Sequence, residues 1–221
     1  TALAYAQAPG LPVELWRLAL TAWGERITTD QLLRFARSSA ANFLVESGGT
    51  GAERCFRLFH QALNDVLLAA RADIRDRTLD ERALTHGWLT HGRRVGWDLA
   101  PTYLRRNLPT HADAAGMIDQ LLADDSYLRH VDLRRLTPLA EHAVTAPGRS
   151  RARMLCLTPH AIGADPPMRA AMFNLTTALE RLHPYPPIVD APYRARWTDV
   201  APRRERTTLT GHTGGVRGVC A

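Results

Sequence analysis

Lysine is absent from this sequence, and all 28 of its basic residues are arginine. The P-loop of nucleotide-binding proteins needs a Gly-Lys-Ser/Thr ending whose lysine reaches the phosphates. The glycine-rich stretch at residues 48–51 is therefore not a P-loop. The Gly-x-Ser-x-Gly and His-Glu-x-x-His patterns of hydrolases are missing as well. We expect no catalytic residues in this chain and no enzymatic activity of its own.

Cysteine is scarce. Cys55, Cys156 and Cys220 lie far apart and form no Cys-x-x-Cys pair. This spacing argues against a disulfide framework or a zinc site and is typical of a reducing compartment, so we expect a cytoplasmic protein. His86 and His91 are off the i, i+4 face of a helix and have no third ligand near them in sequence. We expect no metal and no cofactor in this chain.

Long apolar runs are missing too. No stretch approaches the roughly 18 consecutive apolar residues that suggest a membrane span. The opening residues, TALAYAQAPG, lack the initiating methionine and the basic segment of a signal peptide. The sequence is therefore expected to be an internal piece of a longer protein, without membrane contact.

The composition is that of a folded protein. Hydrophobic residues make up 45% of the chain, which is ordinary for a globular domain. The formal net charge is 28 − 22 = +6, but the arginines are scattered among acidic residues and form no block. The absence of lysine also suggests a GC-rich genome, which explains an arginine excess without a functional cause. Nucleic acid is not an expected partner.

Two helices are predicted at the start. Pro12 suits the first position of a helix, and Val13, Trp16, Leu20 and Trp23 recur at helical spacing as a buried stripe. A second helix is predicted to begin with a capping box. Its reciprocal partners are Thr28 and Gln31.

A β-hairpin is predicted between about Asn42 and His60, around a turn that contains Gly48, Gly49 and Gly51. Alternation places Phe56 and Leu58 on one face of the second strand. The helix that follows has an apolar stripe formed by Leu63, Val66, Leu67 and Ala70. Two helices, a hairpin and a helix within residues 1–75 predict a winged-helix-like domain.

Residues 76–183 are predicted to form an irregular helical array. Thr78 and Glu81 indicate a capping box, and Pro101 and Gly116 mark a helix start and a helix end. Trp88 and Trp97 are expected to pack between helices. A last helix is expected to bury one face, formed by Met168, Met172, Leu175, Leu179 and Leu182. The predicted fold class is mainly α, with a hairpin wing.

A connector is predicted at residues 184–206, because this stretch is rich in Pro and Arg and has no sustained period. The last residues, LTGHTGGVRGVCA, resemble the start of a WD repeat, one blade of a β-propeller. The resemblance implies that residues 207–221 begin the first blade. It also implies that Gly211 and His212 are structural residues of that blade.

A second resemblance covers about residues 1–145. The stretches ALAYAQAPGLPVELW, NFLVES, RCFRLFHQALNDVLL and YLRRNLPTHADAAGMIDQLL occur in this order. Together they resemble the region after the nucleotide-binding domain of actinobacterial STAND-type NTPases with WD repeats. The resemblance implies a regulatory module between an upstream nucleotide-binding domain and a downstream propeller. The parent would bind ADP or ATP with Mg, and other proteins through its propeller.

His60 is the candidate functional residue that this resemblance indicates. In the family, a Met-His-Asp motif near the start of the last winged-helix helix places a histidine against the nucleotide phosphates. Phe59-His60-Gln61 stands at the matching point and departs from the motif at Gln61. The resemblance implies that His60 contacts a phosphate and holds an ADP-bound off state. A purely local role, in hydrogen bonding or packing between the wing and the helix, is the alternative.

Two other functions remain open from the sequence. A DNA-binding winged helix would use TTDQLLRFARSSAANF as its recognition helix, with Arg34 and Arg37 beside Asp30. A passive helical scaffold would only join domains. Salt-dependent DNA binding distinguishes the first of these, and the absence of any nucleotide-dependent change distinguishes the second.

Overall fold

Helices dominate the part of the chain that the computed structural model describes, residues 1–38, 42–48 and 53–202. The predicted fold class, mainly α with a β-hairpin, is confirmed. The described α-helices are α1 (Val13–Ala22), α2 (Thr29–Ala36), α3 (Gln61–Ala72), α4 (Arg77–Val95), α5 (Thr102–Ala114), α6 (Ile118–Leu122), α7 (Asp125–His130), α8 (Leu133–Leu139), α9 (Ala146–Leu157) and α10 (Pro166–Leu179). Short 3₁₀ helices occur at Ala2–Tyr5, Ala140–His142 and Pro159–Gly163.

The chain divides into two compact units, Thr1–Leu121 and the residues from Leu122 onward. The predicted domain boundary between residues 75 and 76 falls inside the first unit. Helix α4, which follows that boundary, packs against both α1 and α5. Each unit has its own buried core.

One small antiparallel sheet forms from β1 (Leu11–Pro12), β2 (Leu44–Ser47) and β3 (Cys55–Leu58), in the order β1-β3-β2. The predicted hairpin is confirmed as β2–β3, and its register pairs Leu44 with Leu58 and Ser47 with Cys55. Phe56 is buried and Arg57 is exposed, as the alternation predicts. Gly48 has a positive φ of 129°, whereas Gly49 and Gly51 lie outside the described residues.

Strand β1 was not predicted. Pro12 ends this strand and is the N-cap of α1, so the helix begins at Val13 and not at the proline. Leu11 pairs with Phe56 of β3, and this long-range pairing has no local sequence signal. Proline is tolerated here because β1 lies at the edge of the sheet.

The buried face of α1 differs from the predicted stripe. Leu15, Trp16 and Ala19 are buried, whereas Val13 and Leu20 are only half-buried. The buried face differs from the predicted one because α4 packs against α1 at Leu15. The indole of Trp88 on α4 donates a hydrogen bond to the Leu15 carbonyl at 3.0 Å. Trp88 and Trp97 are both buried, which confirms the packing role predicted for them.

One of the two predicted capping boxes is confirmed. Thr28 Oγ1 accepts a hydrogen bond from the Gln31 backbone amide at 3.2 Å. The Gln31 side-chain oxygen Oε1 accepts one from the Thr28 backbone amide at 2.8 Å. The box at Thr78 and Glu81 is wrong, because Asp76 caps α4 through the amides of Thr78 and Leu79. The α4 helix therefore begins one residue before Thr78, and Glu81 is free to turn inward.

In the second unit, α7 and α9 pack against α10, and α8 packs against α9. The buried residues of α10 include Ala170, Phe173 and Thr177, whereas Met168 and Met172 are half-buried. The predicted methionine-leucine face is therefore rotated from the actual core face. Pro101 and Gly116 do mark the start and the end of α5, and Gly116 has a positive φ of 63°.

After α10 the described chain has no further helix or strand up to residue 202. Tyr185 is buried there, and its amide and carbonyl bond to Thr177 and Asn174 of α10. The predicted blade start at residues 207–221, with Gly211 and His212, lies outside the described residues. In the part that the structure describes, no helix is long and apolar enough to cross a membrane.

Candidate functional site

His60 stands at the junction between the hairpin and α3. Its backbone is extended, with φ −107° and ψ 131°, and it is the N-cap residue of α3. Its side chain makes no capping hydrogen bond, and its ring is exposed. The neighbouring Phe59 ring meets the imidazole edge-on, with ring centroids 4.4 Å apart. The capping hydrogen bond is therefore not made, whereas the contact with Phe59 is a local packing interaction of the kind that the alternative for His60 describes.

A cleft of about 690 Å³ lies beside this junction. Gln61 and Asn64 from the first turn of α3 line it, together with Arg57 from β3 and Ser47 from β2. The loop Ala6–Pro9 completes the wall. The arrangement brings a helix N-terminus, an exposed guanidinium and neutral hydrogen-bonding side chains to one opening.

The chemistry of this cleft suits an anion. The first amides of a helix point out of its N-terminus, and the helix dipole favours negative charge there. Arg57 adds a positively charged guanidinium with several N–H donors. Asn64 Oδ1 is buried and has no hydrogen-bond partner among the described residues, but it is an acceptor and would pair with a donor group of a ligand rather than with an oxyanion. The donors that the cleft offers to an oxyanion are the helix N-terminus and Arg57.

An apolar groove of about 490 Å³ opens on the same unit. Leu63 and Leu67 of α3 line it opposite Leu32 and Phe35 of α2. The stripe predicted on α3 is thus half-buried at these two positions, whereas Val66 and Ala70 are exposed. Phe43 and Phe35 on the rim are 57% and 46% exposed, so the groove is an open apolar surface and not a filled core.

Sequence reasoning missed a buried ionic cluster around Asp80. This carboxylate is fully buried and pairs with Arg71 through two bonds of 2.6 and 2.9 Å. Tyr5 donates to the same carboxylate at 3.0 Å, and Arg71 stacks over the Trp23 ring at 4.5 Å. Burial, with the bond to Asp80, raises the pKa of Tyr5, so its phenol remains a donor. The cluster ties the N-terminal 3₁₀ helix, α3 and α4 into one unit.

A second buried chain of hydrogen bonds lies on the other side of α4. Glu81 Oε2 is 2.8 Å from His111 Nδ1, and His111 Nε2 is 2.8 Å from the Tyr103 hydroxyl. The Gln7 amide donates to that hydroxyl at 3.0 Å. Trp88 covers the imidazole at a centroid distance of 4.8 Å.

This Glu81–His111–Tyr103 chain has the order of a catalytic triad but not its access. All three side chains are buried. Burial also raises the pKa of the Tyr103 phenol, which makes it a poor nucleophile at neutral pH. The Glu81–His111–Tyr103 chain has a structural role, because its hydrogen bonds connect Gln7, in the loop after the 3₁₀ helix, to α4 and α5. The adjacent acids Asp80 and Glu81 inside a helix were the only local signal for either cluster.

The sequence-predicted residues are thus only partly brought together. The hairpin and α3 meet at the cleft, and His60 lies between two of its lining residues, Phe59 and Gln61, without lining it itself. His86 is exposed on α4, and His91 is buried on the same helix. Among the described residues, no three His, Cys, Asp or Glu side chains lie close enough to hold a metal ion. Comparisons with protein-family models, with curated proteins and with solved structures found no match to this chain.

Proposed function

We propose that this chain is the regulatory and interdomain relay module of a STAND-type signalling NTPase. In this proposal it couples an upstream nucleotide-binding domain to a downstream WD-repeat propeller in a cytoplasmic protein, and it performs no catalysis itself. The resemblance of four ordered stretches supports the proposal, as does the order of two helices, a hairpin and a helix. The parent would bind ADP or ATP with Mg, and the propeller would bind other proteins.

The observation that carries the proposal is the placement of His60. It opens α3 directly after the wing, exposed, without a capping bond and beside a cleft suited to an anion. The imidazole meets the Phe59 ring edge-on and is otherwise exposed, so a phosphate outside the described residues could reach its ring nitrogens.

In the proposed off state, the His60 imidazole donates to a phosphate of ADP held by the nucleotide-binding domain. A hydrogen bond to a charged group contributes about 1.5–3 kcal/mol. This free energy changes the ratio of off to on states by roughly ten- to a hundredfold. Gln61 replaces the acid of the family motif, so one less negative charge faces the phosphates.

His60→Ala in the natural full-length protein tests the proposal. We expect ADP to dissociate roughly ten- to a hundredfold faster and basal activity to rise, because the off state loses a phosphate contact. Stopped-flow release of a fluorescent ADP analogue measures the rate. His86→Ala is the matched control, since His86 is an exposed histidine of the same unit on α4.

Two results would contradict the proposal. Unchanged ADP release in the His60→Ala protein, with normal folding, would leave His60 without a nucleotide role. Tight, salt-dependent binding of duplex DNA to this chain, lost in an Arg34→Ala, Arg37→Ala variant, would support the DNA-binding alternative instead. Both arginines are exposed at the end of α2, which makes the second measurement informative.

A further inference from the structure

Residues 183–199, here called the strap, lie across the second unit without regular secondary structure. Their first end is fastened by Arg151 of α9. Its guanidinium donates to the carbonyls of His183 and Pro184 at 3.0 Å each and pairs with Asp125 at 2.8 Å. Tyr185 is buried beneath this guanidinium, and its hydroxyl donates to the Asp125 carbonyl at 2.6 Å.

The far end of the strap is fastened to α10. Asn174 Oδ1 accepts from the Ala195 amide at 2.9 Å, while its amide nitrogen holds the Tyr185 carbonyl at 2.8 Å. Thr198 Oγ1 donates to the Ala178 carbonyl at 3.2 Å. Asn174 therefore hydrogen-bonds to the strap near both of its ends, at Tyr185 and at Ala195. These bonds hold the backbone around Ala195 in place without a partner.

This fixed backbone displays large side chains to solvent. Trp197 is 82% exposed and Tyr193 is 40% exposed. Arg194 and Arg196 alternate with them and are exposed, and neither has an ion-pair partner in the described parts of the chain. The other described tryptophans are buried or half-buried. Trp, Tyr and Arg are the residue types that carry most binding energy in protein interfaces.

The charges of the strap favour a protein partner over a polyanion. Arg194 and Arg196 are balanced within the strap by Asp190 and Asp199. Binding to nucleic acid depends on an excess of positive charge that neutralises phosphates. A neutral strap with one exposed indole instead fits a protein surface that has an apolar pocket flanked by carboxylates.

We propose that the strap is the docking seat of the domain that follows it in the natural protein, with Trp197 filling an apolar pocket of that domain. Arg194 and Arg196 pair with carboxylates at the rim of the pocket. The inference rests on the proposed function, in which this domain is a propeller that begins near residue 207. Only eight residues separate Thr198 from that point, a distance of at most about 32 Å. A domain on so short a linker meets the strap at high effective concentration.

Hydroxyl-radical footprinting of Trp197, read by mass spectrometry, tests this inference. The oxidation rate of Trp197 is compared between this chain and the natural full-length protein. We expect it to be at least about tenfold lower in the full-length protein, because labelling tracks the fraction of molecules whose strap is undocked. Trp88, which is fully buried, serves as the internal standard in both proteins.

Charge reversal identifies the contact. In the full-length protein, Arg194→Glu with Arg196→Glu should restore rapid oxidation of Trp197. Arg134→Glu, on an exposed arginine of α8, should leave Trp197 protected. Equal oxidation of Trp197 in the two proteins would overturn the docking seat, and so would protection that survives the double reversal.

The outcomes separate this inference from the proposed function. If Trp-Asp repeats follow residue 221 but Trp197 is not protected, the docking seat is wrong and the proposed order of domains stands. A protected Trp197 in a protein without such repeats overturns the propeller and leaves the docking seat. If the repeats and the protection are both absent, both proposals fail.

Discussion

Gly87 and Gly92 lie on the same helix, α4, and differ in their surroundings. A β-carbon at Gly92 would overlap the indole of Trp97, which is buried against it. A β-carbon at Gly87 would meet only the Ala22 side chain, at an ordinary 3.8 Å. The first glycine is required by packing, whereas the second only weakens the helix.

We expect Gly92→Ala to lower the free energy of unfolding by about 1–3 kcal/mol, because Trp97 must move out of its packed position. Gly87→Ala should raise the free energy of unfolding by about 0.5–1 kcal/mol, since alanine loses less backbone entropy in a helix. Urea unfolding followed by circular dichroism measures both. If the two substitutions had the same sign, the packing of Trp97 on α4 would be wrong.

At the scale of elements, one arginine joins several pieces of the second unit. Arg169 of α10 is buried, and its guanidinium donates to the carbonyls of Ala161 at 3.0 Å, Arg129 at 2.9 Å and Val131 at 2.8 Å. Burial lowers the pKa of Arg169. The carbonyls lie at the end of α7 and in the 3₁₀ helix before α10, so this side chain satisfies groups that helix ends leave unpaired.

Arg169→Met keeps much of the side-chain length and removes every donor. We expect the second unit to lose at least about 3 kcal/mol, because several buried carbonyls are left without partners. Hydrogen exchange of the α7 and α10 backbone amides in urea measures this loss of stability within the second unit. Arg134→Met, at an exposed position of α8, should change exchange little. Equal effects of the two substitutions would show that the carbonyls do not depend on Arg169.

At the scale of the whole molecule, the chain combines an anion-suited cleft with the absence of a P-loop. The cleft beside α3 offers donors to a phosphate, and its described lining contains no acidic residue and no histidine. Together with the exposed groove, it gives the first unit two open surfaces of different chemistry.

We therefore expect no ATP hydrolysis by this chain in the presence of Mg²⁺. Phosphate release should equal that of buffer, because P-loop chemistry requires the lysine that the sequence lacks. A coupled phosphate assay measures this. Turnover that follows the protein through two unlike columns and survives in the His60→Ala variant would contradict the prediction.

How well the sequence predicted the structure depended on how far apart in sequence the interacting residues lie. The Thr28–Gln31 capping box and the end of α5 at Gly116 were predictable, because each depends on residues within a few positions of one another. The β2–β3 hairpin was predictable because its two strands are neighbours in sequence, joined by a glycine-containing turn. The capping box at Thr78 failed because Asp76 competes locally for the same amides, and an aspartate at the N-cap is as effective as a threonine or better.

The candidate site was predictable only in part. The position of His60 after the hairpin came from the order of the motifs, but its exposure and the neighbouring cleft depend on the packing of the 3₁₀ helix and the loop Ala6–Pro9 around α3. Nothing local indicated that Arg57 and Asn64 would line that cleft together.

By itself the sequence determined the helical character of the chain, the hairpin and the exclusion of a P-loop, because local backbone preferences and residue absences suffice for these. Only the tertiary structure decided which polar groups are buried. Tyr5 and Asp80 bond across a separation of 75 residues, and Trp88 bonds to Leu15 across 73. Such contacts arise when helices pack, and the energy of a buried charge then depends on its neighbours in space rather than in sequence.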